Sequence, residues 1–145
     1  MIPKMHSCQS ERAARRTILL VEDEPFVREA TSRILSSAGF EVLPTADAEE
    51  ASAVYGKRGQ LIDLVMTDLV LPGRSGRQLV QDLRRFSPAI VALLTSGYLE
   101  TESDNESPET HTYYLAKPYS RSSLVDKIEH VLRACPRRRA ATQAG

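Results

Sequence analysis

From residue 17 onward, short unbroken apolar runs alternate with segments whose apolar residues recur at helical spacing, and each run ends in polar or charged residues. This pattern constrains the fold most. A strand buried on both faces reads as a continuous apolar run, and such strands belong to parallel sheets covered by helices on both sides. Thr17-Ile18-Leu19-Leu20-Val21 is the first run and stops at Glu22-Asp23. Phe40 to Leu43 is the second. Leu61 to Met66 is the third and leads into Thr67-Asp68. Ala89 to Leu94 is the fourth, followed by Thr95-Ser96-Gly97, and Tyr113 to Ala116 is the fifth, followed by Lys117-Pro118.

The intervening segments read as helices. Pro25 suits a first helical turn, the stripe Phe26, Val27, Ala30, Ile34 and Leu35 follows, and Gly39 closes it. Asp47 caps a second helix with Ala51 and Val54 facing inward, ended by Gly56 and Gly59. Pro72, Gly73 and Gly76 mark a loop, and Leu79, Val80, Leu83 and Phe86 form the next stripe. Ser120 caps a last helix carrying Leu124, Val125, Ile128, Val131 and Leu132, stopped by Pro136. Five strands alternating with helices predict an α/β doubly wound, five-stranded parallel sheet. Residues 99–111 break the pattern. Alternation asks for a helix there, but Glu100, Glu102, Asp104, Asn105, Glu106, Pro108 and Glu109 leave almost no apolar stripe, so this helix is expected to be weak or disordered.

The length of 145 residues fits one domain with tails, and a 41% hydrophobic content suffices for a core. Residues 1–16 hold 4 basic and 1 acidic side chains, and residues 133–145 hold 4 basic and none acidic, so an acidic body carries two short basic ends. These ends read as solvated, disordered tails rather than nucleic-acid contacts, giving tails at 1–16 and 135–145 around a domain at 17–134. Cys8 and Cys135 fall in those tails and read as free thiols of a reducing cytoplasm. No stretch has the length of a membrane span or the shape of a signal peptide. His6, His111 and His130 have no partner at metal-ligand spacing, and His130 reads as a surface residue.

In open parallel sheets, ligands bind at the carboxyl ends of the strands. Those ends here carry Glu22 and Asp23, then Asp68, Thr95 and Lys117. Any one of them alone is most simply a turn, a helix cap or a surface residue. Together they would place three acids, a hydroxyl and an ammonium on one rim. A central carboxylate, Asp68, can act as a nucleophile toward phosphorus. Clustered carboxylates need a cation among them, and oxygen ligands beside a phosphoryl group favour Mg²⁺. Asp23, Asp68, Glu22 and the backbone carbonyl of Val70 are the candidate ligands. Lys117 and Thr95 would hold phosphoryl oxygens.

The pieces Leu20-Val21-Glu22-Asp23-Glu24-Pro25, Asp68-Leu69-Val70-Leu71-Pro72-Gly73 with Gly76, Leu94-Thr95-Ser96-Gly97-Tyr98 and Lys117-Pro118-Tyr119 resemble the receiver domain of two-component response regulators, of the chemotaxis-regulator kind. The resemblance covers about residues 17–134. It implies a flavodoxin-like fold with strand order 2-1-3-4-5, for which a receiver is a standing example. It implies Mg²⁺-dependent phosphotransfer to Asp68 from a histidine kinase or a His-containing phosphotransfer protein. It implies self-phosphorylation and self-dephosphorylation but no metabolic enzyme activity. It also implies a switch in which Thr95 moves toward the phosphoryl group while an aromatic on the fifth strand, here Tyr114, turns inward. Read by itself, Tyr114 is a half-exposed strand aromatic.

Three features depart from the family pattern. Glu22 stands where Asp is common. Val70 and Gly97 offer no acid or amide to orient an attacking water, so slow self-dephosphorylation is expected. Residues 99–111 read equally as an element ordered by phosphorylation or as a tolerant acidic loop. About ten residues follow the last helix, too few for a helix-turn-helix. The expectation is a stand-alone receiver controlling an unknown downstream protein, with the initial Met favouring a complete chain. The Pro-Gly-Arg-Ser-Gly and Leu-Leu-Thr-Ser-Gly-Tyr stretches leave open a receiver fragment of a hybrid histidine kinase. A phosphorylation-independent interaction module is the other alternative. No nucleic-acid or membrane contact is expected, and phosphorylation-dependent homodimerisation is left open. A hydrolase would want an acid at Val70, and neither Gly-x-Gly-x-x-Gly nor a P-loop occurs.

Overall fold

The computed structural model of the chain describes residues 15–97 and 106–135. Strands β1 (Thr17–Val21), β2 (Glu41–Thr45), β3 (Leu64–Asp68), β4 (Ala92–Ser96) and β5 (Thr112–Ala116) form one parallel sheet in the order β2-β1-β3-β4-β5. Helices α1 (Pro25–Ser37), α2 (Ala48–Arg58), α3 (Gly76–Arg84) and α4 (Arg121–Ala134) cover it. This is the expected flavodoxin-like α/β fold. Its strand order reverses between β1 and β3, which opens a crevice at their carboxyl ends.

Side-chain alternation explains the unbroken apolar runs. Ile18 and Leu20 of β1 pack into a cluster with Leu35, Leu124 and Ile128. Leu19 and Val21 point the other way, onto Ala51, Leu79 and Leu83. All five β1 residues are buried, and four of them, Ile18 to Val21, are apolar, two on each face. Each helix begins at a side chain that accepts a backbone N–H: Glu24 from Phe26, Asp47 from Glu50, Ser75 from Gln78 and Ser120 from Ser123. β2, an edge strand, tolerates Pro44.

Several expectations are corrected. Phe26 is 84% exposed and Ala30 is exposed, while Thr31 and Leu35 are the buried positions of α1. At about 100° per residue, Phe26 lies half a turn from Leu35, so the stripe read from sequence merged two faces. Phe86 is 83% exposed because α3 ends at Arg84 and the helical period stops with it. Gly56 lies inside α2, and Gly59–Leu61 form a short 3₁₀ turn that delays β3 to Leu64. β4 likewise begins at Ala92.

Part of the 99–111 stretch, with the rest of the segment 98–105, lies outside the described residues, as do His6 and Cys8. The remainder, 106–111, is not α-helical: Ser107 makes an antiparallel bridge to Thr112, and Pro108–Thr110 form a 3₁₀ turn. Arg84 pins this turn by donating to the carbonyls of Ile90, Thr110 and His111 and to Thr112 Oγ1. Burial lowers the Arg84 pKa. Cys135, read as a tail residue, is buried at the end of α4 because it continues the Val131–Leu132 stripe. Its Sγ lies 3.4 Å from His111 Nδ1. His130 is exposed. Among the described residues, no helix is long and apolar enough to cross a membrane.

Candidate functional site

β1 and β3 end side by side, with Val21 opposite Thr67, so the residues that follow meet at the crevice. Glu22 continues β1 and is almost wholly buried, 4% exposed. Its position is fixed from three sides. Its amide donates to Thr45 O, its carbonyl accepts from Arg28 Nη1, and its Oε2 accepts from Glu24 N. Asp23 is the exposed member of the rim. Asp68 closes β3 with its side chain 14% exposed. One carboxylate oxygen from each of Glu22, Asp23 and Asp68 lies within 4.8 Å of the others.

Lys117 reaches this cluster from the end of β5. Its Nζ donates to Glu22 Oε1 at 2.8 Å and to Asp68 Oδ2 at 3.0 Å. Burial alone would lower its pKa, but the hydrogen bonds and charges of Glu22 and Asp68 raise it above the ordinary lysine value. The ammonium therefore stays charged through the physiological range. Lys117, with the Arg28 guanidinium on the Glu22 carbonyl, does not offset all three carboxylates, so the rim keeps capacity for a further cation.

Thr95 is the register partner of Asp68 on β4 and is buried. Its carbonyl accepts from Leu69 N, which ties the loop after Asp68 to β4. Val70 places its amide 3.4 Å from Asp68 Oδ1 and leaves its side chain 68% exposed. The fold thus brings together the carboxylates of Glu22, Asp23 and Asp68, with Lys117 on Glu22 and Asp68, Thr95 opposite Asp68 and the Val70 amide beside it. Tyr114 sits apart on the α3 side of the sheet, among Val80, Ala92, Leu94 and Leu69. It is 4% exposed, which corrects the half-exposed reading of that strand position.

Three contributors were not assigned roles from sequence. Gly76 opens α3 against the acceptor loop: a Cβ there would collide with the Asp68 carbonyl oxygen. The tight approach is stabilised by Gly76 N donating to Leu69 O. Arg77, in the first turn of α3, donates to the Tyr114 hydroxyl at 2.6 Å. Third, Phe26, Val27, Ala30, Ile34, Pro118 and Tyr119 line an open groove of about 610 Å³ that Lys117 also borders. Burial raises the Tyr119 pKa, and its hydroxyl is hydrogen-bonded to Thr31 at 2.9 Å. The Lys117–Pro118 peptide at the groove's edge is cis.

Residues 18–129 match the family model of the response regulator receiver domain. The chain is 34% identical to the sensor kinase CckA of Brucella abortus over 117 residues, covering 80% of this chain and 12% of that protein. It is 34% identical to the phosphate regulon transcriptional regulatory protein PhoB of Pseudomonas aeruginosa over 121 residues, covering 81% of this chain and 52% of that protein. The chain thus spans about half, or much less, of the length of these relatives. The crystal structure of the receiver domain of the hybrid histidine kinase CckA superposes with a TM-score of 0.69 at 33% identity, covering 80% of this chain and 98% of that one. The chemotaxis protein CheY4 of Vibrio cholerae superposes with a TM-score of 0.73 at 27% identity, covering 82% of this chain and all of that one. Sheet order, acidic rim and family match agree: this chain belongs to the response-regulator receiver family of two-component signalling systems.

Proposed function

We propose that the chain accepts a phosphoryl group on Asp68 from a histidine kinase or a His-containing phosphotransfer protein and, once modified, controls a partner protein. The observation that carries this reading is the salt bridge of Asp68 to Lys117 at 3.0 Å within a rim of three converging carboxylates. An Asp68 carboxylate oxygen attacks the phosphorus of a phosphohistidine. The P–O bond to Asp68 forms as the P–N bond breaks, and the freed imidazole nitrogen keeps the electron pair. Lys117 moves from pairing the carboxylate to pairing a phosphoryl oxygen, and Thr95 donates its hydroxyl to another. Little covalent chemistry is asked of the protein beyond the nucleophile. Positioning and charge neutralisation do the rest.

The acidic rim fits a divalent cation. Its donors are all hard oxygens, and among the described residues the three carboxylates outnumber the ammonium of Lys117 that faces them. Glu22, Asp23, Asp68 and the Val70 carbonyl would hold Mg²⁺, which supplies charge neutralisation for the phosphoryl oxygens when bound. Self-dephosphorylation is slow in this reading, because the exposed Val70 side chain brings no carboxylate or amide to orient water.

The groove beside Lys117 supports a protein phosphodonor. Phe26, 84% exposed, is an apolar anchor lining the same groove as Lys117, the residue that pairs with Asp68. The reading places the chain in the cytoplasm, as a stand-alone switch or as the receiver portion of a larger protein such as a hybrid kinase. The test is direct. The chain is incubated with Mg²⁺ and acetyl phosphate, and intact mass is read for wild type and Asp68→Asn. One phosphoryl adduct on wild type and none on the variant supports the reading. An unmodified wild type, or an adduct that survives Asp68→Asn, removes it and favours a phosphate-independent interaction module.

A further inference from the structure

Tyr114 poses a problem of hydrogen bonding. Its ring is packed among Val80, Ala92, Leu94 and Leu69, which offer its hydroxyl no side-chain partner. A phenol turned into such surroundings needs a donor or acceptor brought to it. Arg77 supplies one from the first turn of α3. Its Nη1 donates to the Tyr114 oxygen at 2.6 Å, and its guanidinium carbon lies 5.6 Å from the ring centroid. The contact is therefore a charge-assisted hydrogen bond with a cation–π component. Arg77 itself is exposed, so its charge stays hydrated and the contact carries little desolvation cost.

We propose that Arg77 is a positioning residue that holds Tyr114 in its inward, buried position and thereby presets the switch. This rests on the proposed roles of Asp68, Thr95 and Tyr114. Both parts of the contact require the inward ring: a Tyr114 side chain swung out to solvent would carry its hydroxyl out of Arg77's reach. Arg77 therefore weights the inward position. The neighbouring residue strengthens the case. Gly76 packs against the Asp68 carbonyl while Arg77 grips Tyr114, so a single helical turn touches both the acceptor loop and the switch residue. Thermodynamic reciprocity then links them. If occupancy of the phosphoryl site favours the inward ring, holding the ring inward must favour occupancy by the same factor.

The experiment uses the full chain with ring-labelled tyrosine, observed by NMR, and beryllofluoride with Mg²⁺ as the phosphoryl mimic. In Arg77→Ala the Tyr114 ring signal is expected to gain solvent accessibility, and beryllofluoride affinity to fall by about tenfold, the loss of one charge-assisted hydrogen bond at its lower range. Arg77→Lys keeps a cationic donor and should recover part of both effects. In a Tyr114→Phe background, Arg77→Ala should change the affinity by much less. A Tyr114 ring that stays buried in Arg77→Ala overturns the proposal whatever the mimic does. So does an equal loss of affinity with and without the Tyr114 hydroxyl, which would make Arg77 a general structural residue. A wild type that ignores beryllofluoride would count instead against the Asp68 reading, while the ring measurement still decides the role of Arg77.

Discussion

Removing Lys117 should destabilise the chain and make its stability depend on magnesium. The ammonium bridges Glu22 and Asp68 at 2.8 and 3.0 Å, and those side chains are 5% and 14% exposed. Lys117→Ala leaves two partly buried carboxylates facing each other, with Asp23 beside them. Taking one partner from a buried ion pair costs about 3–5 kcal/mol. The lysine side chain is 23% exposed, so solvent screens part of that and the expected loss is about 2–3 kcal/mol. For a domain of this size the midpoint of thermal unfolding should fall by roughly 10 °C. The assay is thermal unfolding followed by circular dichroism, once with a chelator and once with millimolar Mg²⁺. In the chelator the variant should show the full loss. With Mg²⁺ much of it should return, because a divalent ion offsets the same carboxylates. Glu22→Gln should also shrink the effect of Lys117→Ala, since the two act on one cluster. A loss below about 0.5 kcal/mol in the chelator, within the range of an ordinary surface substitution, would refute the electrostatic account. Equal losses with and without Mg²⁺, strictly additive with Glu22→Gln, would refute it as well.

Other outcomes follow from single contacts. Gly76→Ala drives a methyl into the Asp68 carbonyl and should cost about 1–3 kcal/mol by urea unfolding, with slower phosphorylation by acetyl phosphate. Phe26→Asp should change stability by less than about 0.5 kcal/mol, since the ring is 84% exposed, yet slow transfer from a protein phosphodonor while leaving acetyl phosphate reactivity intact. The raised pKa of Tyr119, caused first by burial, means the folded state favours the neutral phenol. Its stabilising contribution is complete below the ordinary tyrosine pKa and is lost as pH rises through the raised value. Spectrophotometric titration should show a late-ionising tyrosine that Tyr119→Phe removes.

The parts of the fold and rim that were legible in the sequence are those where one residue type has one physical reason. Val21 followed by Glu22-Asp23 marks the end of a strand, because the apolar run stops at two adjacent acids. Ser120 marks a helix start, and the structure completes its cap with Ser123. Glu22, Asp23, Asp68 and Lys117 could be grouped because strand ends converge in a parallel sheet whatever the loops do. The stripes of α1 and α3 misled where periodicity was stretched by one residue. Phe26 was counted with a face half a turn away, and Phe86 with a helix that had already ended. Arg77 and Arg84 were invisible for another reason. An arginine's reach exceeds the local pattern, so its partner depends on which strand the tertiary fold lays beside its helix.

A change at Asp68 has to leave the rim through the elements that touch it. Within the described residues 106–111, the stretch before β5 is an antiparallel bridge and a 3₁₀ turn rather than an α-helix. It is held from outside. Arg84 at the end of α3 anchors the carbonyls of Thr110 and His111 and the hydroxyl of Thr112, and Glu106 accepts from Tyr114 N and from Lys127 Nζ. Arg77, two turns earlier on α3, holds the Tyr114 hydroxyl, and Gly76 abuts the loop after β3. A nine-residue helix thus touches the proposed acceptor at one end and the start of β5 at the other. A small displacement of α3 would strain the Tyr114 and Thr110–Thr112 contacts together, because both depend on side chains of the same rigid element. Coupling through α3 requires that Arg77→Ala and Arg84→Ala be non-additive in their effect on beryllofluoride affinity. Additivity would mean the two arginines serve separate ends of the helix and that the signal takes another route.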